Sequence, residues 1–144
     1  MRLWHYKLIP ALPEYQLMAQ WRELCSIARN IAVEGTPKQM LVNRIMDYPL
    51  THLCSYAGRV IEEMSVRGYE VKPEKFYKWI TAADITNFPE IGDDELFAQW
   101  HNARYYLQCY YNLQEKKDCG GITDKEWDEL EARFILDSDY AIGE

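Results

Sequence analysis

The chain reads as all-α: a single compact helical domain of about five to six helices with an extended N-terminal arm over residues 1–12 and a frayed acidic tail over 137–144. Three observations predict this. Apolar residues recur at spacings of three and four along most of the chain; proline and glycine fall where helices would begin and end; and the one β-prone stretch, at the start, is interrupted by Pro10 and Pro13.

Each element follows from these signals. Residues 1–12 are bulky, but their prolines leave an extended arm rather than a sheet strand. From about Pro13 to Val33, the residues Leu17, Trp21, Leu24, Ala28 and Ile31 form one apolar face, closed by Gly35-Thr36-Pro37. A shorter helix is predicted from Pro37 to about Asp47, with Leu41, Val42, Ile45 and Met46 inward and Tyr48-Pro49 as its end. Pro49 or Leu50 opens the next, whose stripe is Leu53, Ala57, Val60, Ile61 and Met64 and whose stop is Arg67-Gly68. Pro73 suits the first turn of a helix through Ala83, and a loop with Pro89 and Gly92 leads to Asp93 and Asp94 as caps. The longest helix is predicted from about Asp94 to Asp118, carrying Leu96, Trp100, Ala103, Leu107, Tyr110 and Tyr111 inward before Gly120-Gly121. Thr123-Asp124-Lys125-Glu126 then reads as a capping box opening a final helix through about Leu136, with Trp127, Leu130 and Phe134 on its inner face.

Composition narrows the function. With 144 residues, 48% hydrophobic and 14% aromatic, the chain can bury a real core as one domain of residues 1–136. The start, Met1-Arg2-Leu3-Trp4-His5-Tyr6-Lys7, lacks the apolar run of an export signal and no segment is apolar enough to span a bilayer, so a cytoplasmic protein without membrane partners is expected. Cys25, Cys54, Cys109 and Cys119 show neither CxxC spacing nor paired histidines, which predicts reduced thiols, no metal and no cofactor. A net charge of −7 would disfavour nucleic acid if spread evenly. It is not: residues 1–78 hold 11 Lys/Arg against 8 Asp/Glu (+3), whereas residues 79–144 hold 5 against 15 (−10), which leaves a basic surface available on the first half.

Two groups of residues carry chemistry. On the first long helix, Arg22 and Glu23 lie about 100° apart and flank the apolar stripe, so they read either as a phosphate clamp beside a catalytic carboxylate or as ordinary charges on a solvated face. In the arm, Trp4, His5 and Tyr6, with Tyr15 and Trp21 near in sequence, form either a stacking wall for a nucleobase or anchors that plug the arm into the core. His5, His52 and His101 are isolated and read as structural or surface residues. Tyr105, Tyr106, Tyr110 and Tyr111, with Arg104 beside them, could line a groove that stacks bases, but Glu115 and Asp118 oppose it and packing or a protein interface is the simpler reading; the five acids of Asp124–Glu131 read as a solvated helix face.

The stretch Gln16-Leu17-Met18-Ala19-Gln20-Trp21-Arg22-Glu23-Leu24 resembles the first helix of the pyrimidine-dimer DNA glycosylases of the phage endonuclease V type, in register from residue 1. The turn Arg67-Gly68-Tyr69-Glu70-Val71 resembles a later basic-Gly-aromatic turn of the same family. The resemblance implies an enzyme whose own α-amino group is the nucleophile, forming an imine with the sugar as the base leaves. Glu23 would be the catalytic carboxylate, the Met1 amine the nucleophile, and Arg22 a phosphate or sugar contact, with Lys7 and Arg29 as further phosphate contacts. An α-amine suits this task because its pKa of about 7.7 to 8.0 leaves a neutral fraction near neutral pH. The chain departs from the family at Gln16, where a histidine stands, and at Leu3 and Ser26, which are not basic. Arg2 replaces a small residue, so Met1 is expected to be retained and the amine to stand one residue, up to about 3.5 Å, further out. Two functions follow. One is a DNA base-excision glycosylase and AP lyase; the alternative is a noncatalytic binder of a nucleotide or cyclic-nucleotide signal on the same scaffold, motivated by the retained Met1, the missing basic contacts and the acidic second half.

Overall fold

The computed structural model describes residues 2–82 and 90–143, and its regular elements are helical. Pro13 holds the N-cap of α1 (Glu14–Glu34), a helix that buries Leu17, Trp21, Leu24, Ala28 and Ile31 as the spacing requires, together with Ile27, Gln16 and Gln20. Gly35, at φ 81°, ends it in the left-handed conformation that glycine adopts without steric cost, returning its N–H to the Ile31 carbonyl at 2.9 Å. α2 (Leu50–Val66) buries Leu53, Ala57, Val60 and Met64, and Gly68 at φ 82° follows it. α3 (Glu74–Ala82) presents Phe76 and Ile80 to the core. α1 lies against both α2 and α3, with Trp21 and Phe76 in ring contact at 6.4 Å. The C-terminal layer is α4 (Ala103–Asp118), α5 (Asp124–Leu136) and α6 (Ser138–Ile142). The expected capping box is present in both directions: Thr123 Oγ1 accepts from the Glu126 N–H and Glu126 accepts from the Thr123 N–H, at 3.1 and 3.0 Å.

Four segments differ from the sequence expectation. Only residues 2–5 of the arm are extended; Tyr6–Ala11 is a 3-10 helix whose N-cap, His5, accepts from the Lys7 N–H at 3.1 Å. It wedges between α2 and α5, and Leu3, Trp4, Leu8, Ile9 and Leu12 are all buried, because so apolar a stretch is stabilised by entering the core. Residues 37–47 do not form a regular α-helix: turns lead into a 3-10 helix, Asn43–Asp47. With about three residues per turn, Val42 and Ile45 share the inner side. Leu41 and Met46, expected inward, are exposed.

The predicted long helix begins only at Ala103. Phe97 (φ 49°) and Gln99 (φ 75°) take left-handed conformations that no α-helix accommodates, and Asn102 caps α4 by accepting from the Tyr105 N–H at 2.9 Å. Packing offsets the strain: Phe97, Trp100 and His101 are buried in mutual ring contact at 4.8 to 5.1 Å. Tyr106, Cys109, Tyr110 and Leu113 then form the buried face of α4, and Tyr111 is exposed. Finally, residues 138–142 are helical rather than frayed. The buried Asp137 carboxylate accepts from Tyr106 Oη at 2.8 Å and Arg133 Nε at 3.0 Å, and these partners hold the tail down. Ala83, the last residue of the helix predicted from Pro73, and Pro89 of the loop after it lie outside the described residues. No helix among the described residues is long and apolar enough to cross a membrane.

Candidate active site

Extended backbone without a sheet leaves its N–H and C=O groups to find other partners, and buried ones that fail cost free energy. Around residues 2–6 those partners are side chains. Gln20, buried on α1, accepts from the Trp4 N–H at 2.8 Å and donates to the Arg2 carbonyl at 3.2 Å. Tyr56 of α2 shares its one hydroxyl hydrogen between the Trp4 carbonyl at 2.5 Å and Gln20 Oε1 at 3.0 Å. Tyr105 of α4 donates to the Leu3 carbonyl at 2.5 Å, and the Tyr6 N–H donates to His101 Nδ1 at 3.3 Å. Residues 2–6 are therefore fixed from three sides.

Gln20 makes one more bond, from Nε2 to Glu23 Oε2 at 3.3 Å. One amide thus joins the backbone of residue 2 to the carboxylate one turn along α1, the geometry that period-3.6 spacing gives to residues i and i+3. Glu23 is half-buried, and its pKa lies above the ordinary carboxylate value because burial disfavours the charge; Arg22 and Lys116 pull the other way. A carboxyl so placed can exchange a proton and can face a cationic partner. Met1, the predicted nucleophile, lies outside the described residues.

The other predicted contacts do not gather around Glu23. Arg22 is exposed and lines a cleft of about 460 Å³ with Trp21, Cys25, Lys72 and Lys75, and with Glu70 as its acid. Arg29 is exposed on the same helix, its guanidinium 6.0 Å from the Trp79 ring of α3. Lys7 sits over the Tyr140 ring at 4.7 Å, in a cleft shared with Arg59 and Arg133 but also with Glu62, Glu63 and Asp93. Trp4, His5 and Tyr6 are core residues. His5 is fully buried, 2.9 Å from Tyr140 Oη and 5.2 Å from the His101 ring, so these rings present no open face to a base. Burial first, then the Lys7 charge, lowers the His5 pKa to about 3, and both imidazoles are neutral in the fold. His52 is likewise structural, accepting from the Phe97 N–H at 3.1 Å.

Sequence reasoning overlooked Gln20. Its signal was present: a glutamine on the buried face of an amphipathic helix, one turn before Glu23, needs polar partners inside the protein. It also gave no sign that Arg2, Arg44 and Arg104, far apart in sequence, meet around one cleft of about 500 Å³.

Comparison with curated proteins and with solved structures returns no match. The family model described as pyrimidine dimer DNA glycosylase matches residues 1–77, a span that contains the Gln20–Glu23 pair, the fixed N-terminal segment and the whole of α1 and α2. With more than half of its length matched, and with the helix that bears Arg22 and Glu23 inside the matched region, the chain belongs to the pyrimidine dimer DNA glycosylase family.

Proposed function

We propose that the protein is a cytoplasmic DNA base-excision glycosylase and AP lyase acting on pyrimidine dimers without a cofactor, with the amine of Met1 as nucleophile and Glu23 as the catalytic carboxylate. One observation carries this reading: the Gln20 amide bonds both to the Arg2 carbonyl and to Glu23, at 3.2 and 3.3 Å, so the residue adjoining the terminal amine is held beside a half-buried carboxylate. In the reaction the neutral amine forms a bond to C1′ of the damaged nucleotide while the glycosidic bond breaks, its electron pair and a proton passing to the base. The sugar ring then opens, the amine nitrogen giving its remaining proton to O4′, and an imine links protein and sugar. Ionised Glu23 balances the positive charge that develops at C1′ and is the base for the C2′ proton whose loss expels the 3′ phosphate.

Borohydride tests this directly, since it reduces the imine to a stable amine. Ultraviolet-irradiated duplex should yield a covalent adduct carried by the N-terminal peptide, and Glu23→Gln should abolish strand cleavage. Absence of both adduct and cleavage with the intact protein would remove the enzyme claim. Arg2 in place of a small residue favours the second reading, a noncatalytic nucleotide or cyclic-nucleotide binder, in that event; calorimetry with those ligands reads it out.

A further inference from the structure

Arg2, Arg44 and Arg104 surround a cleft of about 500 Å³ with Trp100 at its wall and Met40 and Leu41 at its rim. Among the described residues no carboxylate lines it. Arg44 has one acidic neighbour, the exposed Asp47 at 3.7 Å, and Arg2 and Arg104 have no ion pair among the described residues. Three like charges around one cleft, in a chain of net charge −7, repel one another until an anion enters. Two of them are also held in position. The Arg2 guanidinium lies 5.7 Å from the Trp4 ring and 4.0 Å from Cys109 Sγ, and that of Arg44 lies 6.0 Å from the Trp100 ring, which lowers the entropy lost when a ligand binds. The rim is unusual for a free surface: Met40 is 88% exposed and Leu41 55%.

We propose that this cleft is a grip for the duplex DNA backbone, in which Arg2, Arg44 and Arg104 take successive phosphates and Met40 and Leu41 lie against the sugars and base edges. It rests on the DNA-repair reading above. Charge complementarity selects a polyanion, since planar guanidinium forks match phosphate oxygens. Position selects the strand that reaches Glu23, because Arg2 belongs to both places: its carbonyl is tied through Gln20 to Glu23 and its guanidinium lines the cleft. Arg104 lies beyond the region matched by the family and supplies a cation from the otherwise acidic second half.

The test is the salt dependence of binding to a dimer-containing duplex, followed by fluorescence anisotropy. Each phosphate contact contributes about 0.9 to the slope of log affinity against log salt. Arg44→Ala/Arg104→Ala should therefore reduce the slope by about 2, Arg44→Lys/Arg104→Lys should keep it, and Lys78→Ala/Lys125→Ala, which removes the same charge elsewhere, should leave it unchanged. Melting curves check that the variants fold, which both exposed positions permit. An unchanged slope in the alanine pair, or an equal fall in the control pair, overturns the grip while borohydride trapping at low salt leaves the enzyme reading standing. Mononucleotide binding that the alanine pair abolishes, with the duplex slope intact, would assign the cleft to a small anion and also overturn it. A wild-type protein that neither binds nor traps duplex overturns both.

Discussion

Replacing Gln20 with leucine removes a single amide and tests both the fold and the site. The side chain is fully buried and uses both lone pairs and both hydrogens, toward the Trp4 N–H, Tyr56 Oη, the Arg2 carbonyl and Glu23. Leucine has similar volume, so little cavity cost arises, but the Trp4 N–H and the Arg2 carbonyl lose the partners that hold them. Tyr56 keeps its bond to the Trp4 carbonyl at 2.5 Å and is not orphaned. Two backbone groups deprived of partners at roughly 1–3 kcal/mol each, less what leucine regains by burial, give a net loss of about 2–4 kcal/mol. For a chain of this size that is a fall in Tm of roughly 6–12 °C. Urea denaturation measures it as a lower midpoint with an unchanged slope, and single-turnover borohydride trapping should slow more than tenfold, because residue 2 is no longer tied to Glu23. A variant destabilised by less than about 0.5 kcal/mol, trapping at the wild-type rate, would show that Gln20 neither supports the N-terminal segment nor positions the amine.

Three further outcomes are expected. His5 and His101 are neutral when folded, whereas an unfolded imidazole takes up a proton with a pKa of about 6.5. Below that value the unfolded state binds more protons, so stability should fall as pH drops, by up to about 1.4 kcal/mol per pH unit for each histidine and for His5 continuing toward its folded pKa of about 3. Urea midpoints measured at neutral and mildly acidic pH should show this, less steeply in His5→Gln; a flat profile contradicts it. Tyr106→Phe leaves the buried Asp137 carboxylate with Arg133 alone and should cost about 1–2 kcal/mol in chemical denaturation. Met40→Ser/Leu41→Ser should weaken duplex binding about fivefold, roughly 1 kcal/mol, with no change in salt slope, because it removes apolar contact and no charge.

Local signals carried far into this protein. The apolar face of α1, its glycine stop and the Thr123–Glu126 capping box depend on neighbours within a turn or two, and period and capping chemistry read them directly. The Arg22–Glu23 pair was legible for the same reason, lying in one run of nine residues. What local reading could not give was anything set by partners distant in the chain. Residues 94–102 have the composition of a helix, yet Phe97 and Gln99 turn left-handed because burying the rings of Phe97, Trp100 and His101 together outweighs helical propensity. The N-terminal segment read as an extended arm whose anchoring stayed open, because its hydrogen-bond partners, Gln20, Tyr56, His101 and Tyr105, come from positions 16 to 102 residues away. The sequence by itself therefore determined the helical class, most helix boundaries and that Arg22 and Glu23 stand on α1. Only the tertiary structure decided that Arg2 is tied through Gln20 to Glu23 and that Arg2, Arg44 and Arg104 meet, since helical period relates residues along one element and packing alone relates residues across several.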